Sequence, residues 1–175
     1  MHVLITILLI ISGTIVSLLV IAIFMKKTHL VKREISINVP RQQVFDFLKL
    51  LKNQEKFNKW AKADTNRNWN YKGTDGTVGF VISWNGDRKV GKGEKEIMKI
   101  DDGKRIETQI RFMRPLKTTA DIIFDLESIS ENQTKVTMSN AGKLAYPINL
   151  MIPIAERMFP IDMDSSLFEL KRILE

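Results

Sequence analysis

The sequence contains no cysteine and only 2 histidines. Without cysteine the chain has neither disulfides nor thiolate ligands for zinc, which is compatible with a reducing compartment. His2 precedes a long apolar run and His29 follows it, so we expect both to lie outside the folded body or at its edge. The domain would then lack the usual nucleophile and imidazole base. This composition argues against hydrolase triads, and we expect no metal and no cofactor. Any catalysis would then depend on carboxylate, lysine or tyrosine side chains.

Charged residues are absent before Lys26, and Val3 to Met25 is a continuous apolar run relieved only by threonine, serine and glycine. A helix needs about 20 such residues to cross a bilayer. A cleaved signal peptide is the alternative, but it would have a basic leading region and an A-x-A-like site, which are missing here. We therefore interpret residues 1–25 as an uncleaved transmembrane anchor.

Basic residues directly follow this run, at Lys26, Lys27, Lys32 and Arg33. Since cytoplasmic flanks carry the excess of lysine and arginine, a single-pass protein with a cytoplasmic domain is predicted. The net charge of +7 falls entirely on residues 26–175. A nucleic-acid surface would interleave such charge with exposed aromatic residues. The anionic leaflet is the simpler partner of a tethered domain, so we expect membrane contact and no nucleic acid; protein partners stay open.

The remaining chain divides into a linker, residues 26–30, and a domain, residues 31–175. Leu30 to Asn38 alternates in polarity and predicts a first strand. Two short amphipathic helices are predicted next, the first opened by Pro40 and the second spanning Gln54 to Ala63. Strands at about 69–72 and 77–84 follow. The predicted order then continues into a meander of strands.

Turn dipeptides divide the stretch from Gly73 to Gly142 into consecutive strands. Asn85-Gly86 and Asp102-Gly103 supply the positive φ angles that tight hairpin turns require. From Pro147 an apolar segment with a stripe of leucine, isoleucine and methionine predicts one long helix, with a kink or break near Pro160. The fold class is therefore α+β. We predict a curved antiparallel sheet of about six to seven strands wrapped around the terminal helix.

Several strings carry a family resemblance: ISINVPRQQVFDFL, WNGDRKVGKGEKEI, GKRIETQIRFMRPL and SSLFELKRIL. Together with the order of elements, they resemble the START-like or helix-grip superfamily, also called the SRPBCC or polyketide cyclase/dehydrase and lipid-transport group. The resemblance covers residues 31–175 and leaves the anchor outside. It implies a cavity between sheet and terminal helix that holds lipids, sterols, polyketides or hormones, and only some members are enzymes. Function must be argued from the site itself.

Glu94 and Glu96 are the candidate catalytic carboxylates. They share strand parity with Met98 and Ile100, so alternation places them on one face of the sheet. If that face is concave, a carboxylate points into the cavity and could act as a general acid or base. A bulge near Gly91 or Gly93 would instead turn both to solvent.

Large apolar side chains are the candidate ligand-binding residues: Trp60, Trp69, Phe80, Trp84, Met98, Phe112, Tyr146, Met151 and Met158. The methionine-containing group after Tyr146 could gate a cavity, contact the bilayer or pack on the sheet. The function expected is membrane-anchored binding of a hydrophobic small molecule or lipid. A cyclase- or dehydratase-type enzyme with a pocket carboxylate is the alternative, and an interaction domain without a ligand is a third.

Overall fold

The computed structural model describes residues 2–60, 68–86 and 91–175. Its helices are α1 (His2–Phe24), α2 (Arg41–Leu48), α3 (Leu51–Phe57), a short 3₁₀ helix (Ile148–Met151) and α4 (Ile152–Leu174). Its strands are β1 (Thr28–Ile37), β2 (Asn68–Lys72), β3 (Val81–Asn85), β4 (Lys92–Asp101), β5 (Arg105–Arg114), β6 (Thr118–Ser130) and β7 (Gln133–Lys143).

Within these residues seven strands form one antiparallel sheet, in the order β1-β7-β6-β5-β4-β3-β2. Consecutive strands pair as hairpins from β2 to β7, and β1 closes the other edge against β7. The Asp102-Gly103 turn is confirmed, because Gly103 has φ +67° and Lys104 N donates to Asp101 O at 2.9 Å. The predicted turn at Asn85-Gly86 is wrong, because Asn85 is the last residue of β3 and pairs with Lys92, and neither Asn85 nor Gly86 has a positive φ. Residues 87–90, which follow, lie outside the described residues.

The predicted α+β helix-grip architecture is confirmed. α4 lies against β1, and its Met163, Leu167 and Leu170 are buried in the main core. The sheet contributes Ile106, Ile122, Phe124, Leu126, Val136 and Met138 to this core, and α2 contributes Val44, Phe45 and Leu48. Because these apolar residues fall on one face of each element, sheet and helices bury a common interior.

Some element boundaries differ from the sequence prediction. β1 begins at Thr28 and therefore takes in residues assigned to the linker. α3 begins at Leu51 and ends at Phe57, so it is earlier than the predicted Gln54 to Ala63, of which residues 61–63 lie outside the described residues. α4 is continuous through Pro160, so the predicted break is absent. Its first turn is preceded by the 3₁₀ helix, where the apolar segment changes helical type.

The amino-terminal helix α1 is long and apolar enough to span a membrane, and only 6% of its most apolar window is buried. Its carboxyl end is fixed to the domain by Asn149 of the 3₁₀ helix. The Asn149 Nδ2 donates to the carbonyl oxygens of Ala22, at 2.7 Å, and Met25, at 3.2 Å. Lys26 Nζ also pairs with Glu156 Oε1 of α4 at 2.6 Å. The start of α4 therefore lies beside the end of α1.

Candidate functional site: an apolar cavity between sheet and helix

A cavity of about 320 Å³ lies between the concave face of the sheet, α3 and the first half of α4. Its size falls at the lower end of the roughly 300–1,000 Å³ typical of small-molecule sites. The sheet supplies most of the lining, α3 contributes Leu51 and Gln54, and α4 contributes Ala155 and Phe159. The walls are mostly aromatic and aliphatic with a few polar groups, the usual composition of a site for an apolar ligand.

One wall of the cavity is a row of aromatic side chains that runs across the strands. Trp69 of β2 is paired with Trp84 of β3, and their ring centroids are 6.3 Å apart. Trp84 also contacts Phe112 of β5 edge-on, with 5.8 Å between centroids, although β4 lies between them. Gly93 of β4 makes this possible, because a Cβ there would lie 2.6 Å from the Trp84 ring. A glycine in the strand thus lets the rings close over the backbone.

The next row of the inner face carries the polar groups of the cavity. Six residues lie side by side across the paired strands from β1 to β3: His29, Gly142, Ala120, Ile110, Lys95 and Ile82. Gly142 and Ala120 are small, so the middle of this row leaves space. His29 and Lys95 are four strand spacings apart, roughly 19 Å along a flat sheet. The cavity is therefore apolar in its middle and has a polar group toward each edge.

Lys95 is the one charged residue of β4 that faces inward in the described structure. Its amine donates a hydrogen bond to Gln54 Oε1 of α3. Gln54 is only 3% exposed, and its Nε2 donates to Leu48 O at 2.8 Å, which fixes the orientation of its amide. Burial lowers the pKa of the Lys95 amine from 10.5 to about 8, because removal from water disfavours the charged form.

The expectation that both histidines lie outside or at the edge of the domain is wrong for His29. It is 7% exposed, it lies in β1, and it contributes to the cavity lining. Its Nε2 lies 3.2 Å from Asn140 Oδ1, and its ring meets Phe159 edge-on at 5.3 Å. The Nδ1 is buried without a hydrogen-bond partner among the described residues. The domain therefore does contain an imidazole, which weakens the sequence argument against acid–base chemistry.

Glu94 and Glu96 lie on the outer face of the sheet, not in the cavity. Arg111, which also faces outward, binds both carboxylates: its Nε lies 2.6 Å from Glu94 Oε1 and its Nη2 contacts Glu96 Oε2. The hydrogen bonds that Arg111 donates to Glu96 and, second, to Glu94 raise the pKa of its guanidinium. The parity argument fails because a register shift between Ile97 and Lys99 reverses the alternation.

The predicted ligand-binding residues divide into three groups. Trp60, Trp69, Trp84 and Phe112 line the cavity. Met151 and Met158 line a second, shallower groove. Phe80, Met98 and Tyr146 line neither space: Phe80 is buried in a separate core cluster, whereas Met98, at the register shift, and Tyr146 are each 45% exposed.

This groove, of about 340 Å³, adjoins the cavity and opens beside the start of α4. The two spaces share Trp60, Phe112, Thr118, Leu144, Ala155 and Phe159, so they lie side by side. Exposed apolar side chains surround the groove: Leu116, Met151, Ile154 and Met158 are between 46% and 55% exposed. The groove is thus an exposed apolar surface between the cavity and the end of α1.

Lys95 and His29 are the polar groups of the site that sequence reasoning missed. Lys95 alternates in step with Gly93 and Ile97, so it lies on the same face of β4 as these two residues. A prediction that included a bulge between Ile97 and Ile100 would have placed Lys95 on the inner face of the sheet. His29 lies only three residues after Lys26. Because of the basic residues that follow α1, residues 26–30 were assigned to a linker, although β1 already begins at Thr28. In residues 2–60, 68–86 and 91–175 no group of three or more His, Asp or Glu side chains is placed to hold a metal ion.

Comparison with known proteins gives a likeness of fold. No protein-family model and no curated protein sequence matches the chain. A truncated norcoclaurine synthase from Thalictrum flavum is similar in structure, with a TM-score of 0.65 and 8% identity over 83% of this chain and 92% of that one.

Two further structures are similar over most of their length. Protein CV1439 from Chromobacterium violaceum has a TM-score of 0.60 and 14% identity over 83% of this chain and 96% of that chain. The Aha1 dimer from Colwellia psychrerythraea has a TM-score of 0.54 and 20% identity, over 84% of this chain and 96% of that one. The chain therefore has the START-like helix-grip fold that its sequence strings resemble.

Proposed function

We propose that this protein binds a hydrophobic small molecule or lipid in the cavity and is held at a membrane by α1. The observation that carries the proposal is the apolar cavity and the adjoining groove, both lined by Trp60, Phe112 and Phe159. Packed cores leave few voids larger than a water molecule. A space of this size between well-packed layers is therefore best explained as a ligand site.

The attachment of α1 supports uptake from the bilayer. Asn149 and Glu156 join the end of α1 to the 3₁₀ helix and to α4, the elements that carry Met151 and Ile154 of the groove. With α1 across a membrane, the groove would lie close to the membrane surface. An apolar ligand could then pass between bilayer and cavity with little exposure to water, which lowers the cost of its transfer.

We further propose that the domain faces the cytoplasm, since Lys26 and Lys27 directly follow α1. The sequence offers a reporter of topology in Asn132-Gln133-Thr134, an acceptor for N-glycosylation. Expression in a eukaryotic host should leave Asn132 unmodified. Glycan attachment at Asn132, abolished by Asn132→Gln, would place the domain on the lumenal side instead.

The cavity proposal can be tested by intrinsic fluorescence, because all 3 tryptophans of the chain line the cavity. Lauryl bromide is neutral and apolar, and its bromine quenches tryptophan on contact. With the full chain in nanodiscs of neutral lipid, we expect saturable quenching. Ala120→Phe fills the middle of the cavity and should abolish it. Ala141→Phe, the same change on the neighbouring strand and the opposite face, should not. Equal quenching in both variants would refute the proposal.

Catalysis is the second candidate, and the observation that favours it is the Lys95 amine, whose pKa burial lowers to about 8. Lysines with lowered pKa values serve as acid–base groups and as nucleophiles toward carbonyl compounds. One similar structure is a norcoclaurine synthase with dopamine and hydroxybenzaldehyde. Borohydride treatment with hydroxybenzaldehyde would trap an imine at Lys95 as a secondary amine. Mass spectrometry that finds no adduct at Lys95 would count against a nucleophilic lysine.

A further inference from the structure

Lys95, on the inner face of the sheet, makes only one hydrogen bond to the described residues. Lysine has three N–H donors, and Gln54 is the only described residue that accepts one from Lys95. No carboxylate of the described residues pairs with the Lys95 amine, and burial is the only influence on its pKa. Lys95 is partly buried on the wall of the cavity, and an ammonium group withdrawn from water is normally paired with an anion, because a lone one is costly. An anion in the cavity would satisfy the remaining N–H donors of Lys95.

The surroundings of Lys95 define the shape of such a partner. In the row across the strands, Ile110 and Ile82 flank Lys95, and Trp84 and Phe112 form the adjoining row. The only described acid in the lining is Glu55, which has other partners, among them the Tyr71 hydroxyl at 3.5 Å. A charged head at Lys95 would therefore be flanked on the sheet by the apolar side chains of these two rows.

Lys95 also lies away from the exposed end of the site. It lines the cavity but not the groove, whereas Phe112 and Phe159 line both. A molecule that fills both spaces would have one end at Lys95 in the cavity and its other end at the groove beside α1.

We infer that the cavity takes an amphiphile with one acid group, a carboxylate or a phosphate monoester, whose anion pairs with the Lys95 amine while its apolar tail extends toward the groove. This inference rests on the proposed function and names its ligand class. The amide of Gln54, held by Leu48 O, keeps the amine in place. An ion pair against apolar walls is stronger than one in open water, since less water competes for it.

The test is displacement of lauryl bromide from the full chain in neutral nanodiscs, with laurate, lauryl phosphate and lauryl alcohol as competitors. The three share a tail and differ only in the head. The wild-type protein should bind one of the two acids more tightly than the alcohol. Lys95→Met should lower the affinity for that acid by at least about 30-fold, as expected for the loss of one partner of a buried ion pair. Lys99→Met, on the same strand but exposed, is the matched control. Each competitor partitions into the nanodisc lipid to the same extent whichever variant is present, so this partitioning cancels when the variants are compared.

Each outcome decides a separate point. Continued quenching of Lys95→Met by lauryl bromide shows that its cavity is intact. Tighter binding of laurate than of lauryl phosphate identifies a carboxylate, the reverse identifies a phosphate monoester, and both support the inference. Equal displacement by laurate and lauryl alcohol, unchanged in Lys95→Met, overturns the acid-binding role and leaves apolar binding intact. Absence of lauryl bromide quenching in wild type overturns the proposed function, and this inference with it.

Discussion

The enclosed amine of Lys95 gives a quantitative prediction for stability against pH. The pKa of Lys95 falls from 10.5 to about 8 in the folded protein. Since a difference of one pKa unit corresponds to about 1.4 kcal/mol, protonated Lys95 costs the folded state about 3 kcal/mol at neutral pH. Between pH 8 and 10.5 the unfolded chain binds more protons than the folded one, so the folded state gains stability as pH rises. Above that range both states are neutral at this residue and the cost is gone.

Lys95→Met removes the titration and therefore the pH dependence. Compared with Lys99→Met, its advantage in unfolding free energy should shrink by about 3 kcal/mol from pH 7 to above pH 10, a change of roughly 6–12 °C in relative melting temperature for a chain of this size. The absolute difference also includes the loss of the hydrogen bond to Gln54, so the prediction concerns the change in the difference between the two pH values. Thermal unfolding of both variants, followed by tryptophan fluorescence at each pH, measures the difference in stability. A difference that stays constant from pH 7 to above pH 10 would refute the buried-charge reasoning.

Three other predictions concern contacts elsewhere in the fold. Gly93→Ala should lower the unfolding free energy by about 1–3 kcal/mol, because the new Cβ meets the Trp84 ring; denaturant titration measures this, and an unchanged midpoint contradicts it. Asn149→Ala removes two hydrogen bonds to the end of α1, each contributing about 0.5–1.5 kcal/mol, so proteolysis between anchor and domain should accelerate while the cavity still binds lauryl bromide. Glu94→Gln and Glu96→Gln should leave lauryl bromide binding unchanged, since both carboxylates lie on the outer face; a loss of binding would reverse that assignment.

Periodicity and turn residues were sufficient to predict the architecture. Alternation in β1 and in the meander, together with Asp102-Gly103, specifies neighbouring antiparallel strands, and the stripe through Met163 and Leu170 specifies the covering helix. These signals are local: each depends on a few consecutive residues and on which face they bury. Pro160 predicted a kink or break because proline lacks an N–H, yet α4 continues through it without a break.

The site was less predictable, because it depends on register and on residues that are distant in sequence. A single irregularity after Ile97 places Lys95 inside and Glu94 and Glu96 outside, and no residue pattern in β4 marks its position. His29 becomes part of the cavity only because β1 pairs with β7, where Gly142 leaves room for its ring. Aromatic residues were a better guide: Trp60, Trp69, Trp84 and Phe112 do line the cavity, since large apolar side chains face whatever interior the sheet encloses.

Native mass spectrometry of the full chain, released from neutral nanodiscs after incubation with lauryl bromide and laurate, shows whether the domain holds a ligand. We expect one bound amphiphile per chain in wild type and in Ala141→Phe, and none in Ala120→Phe, whose side chain occupies the space between His29 and Lys95. A wild-type chain that stays free of ligand, or an Ala120→Phe chain that binds as well as wild type, would contradict the existence of a ligand site between sheet and helix.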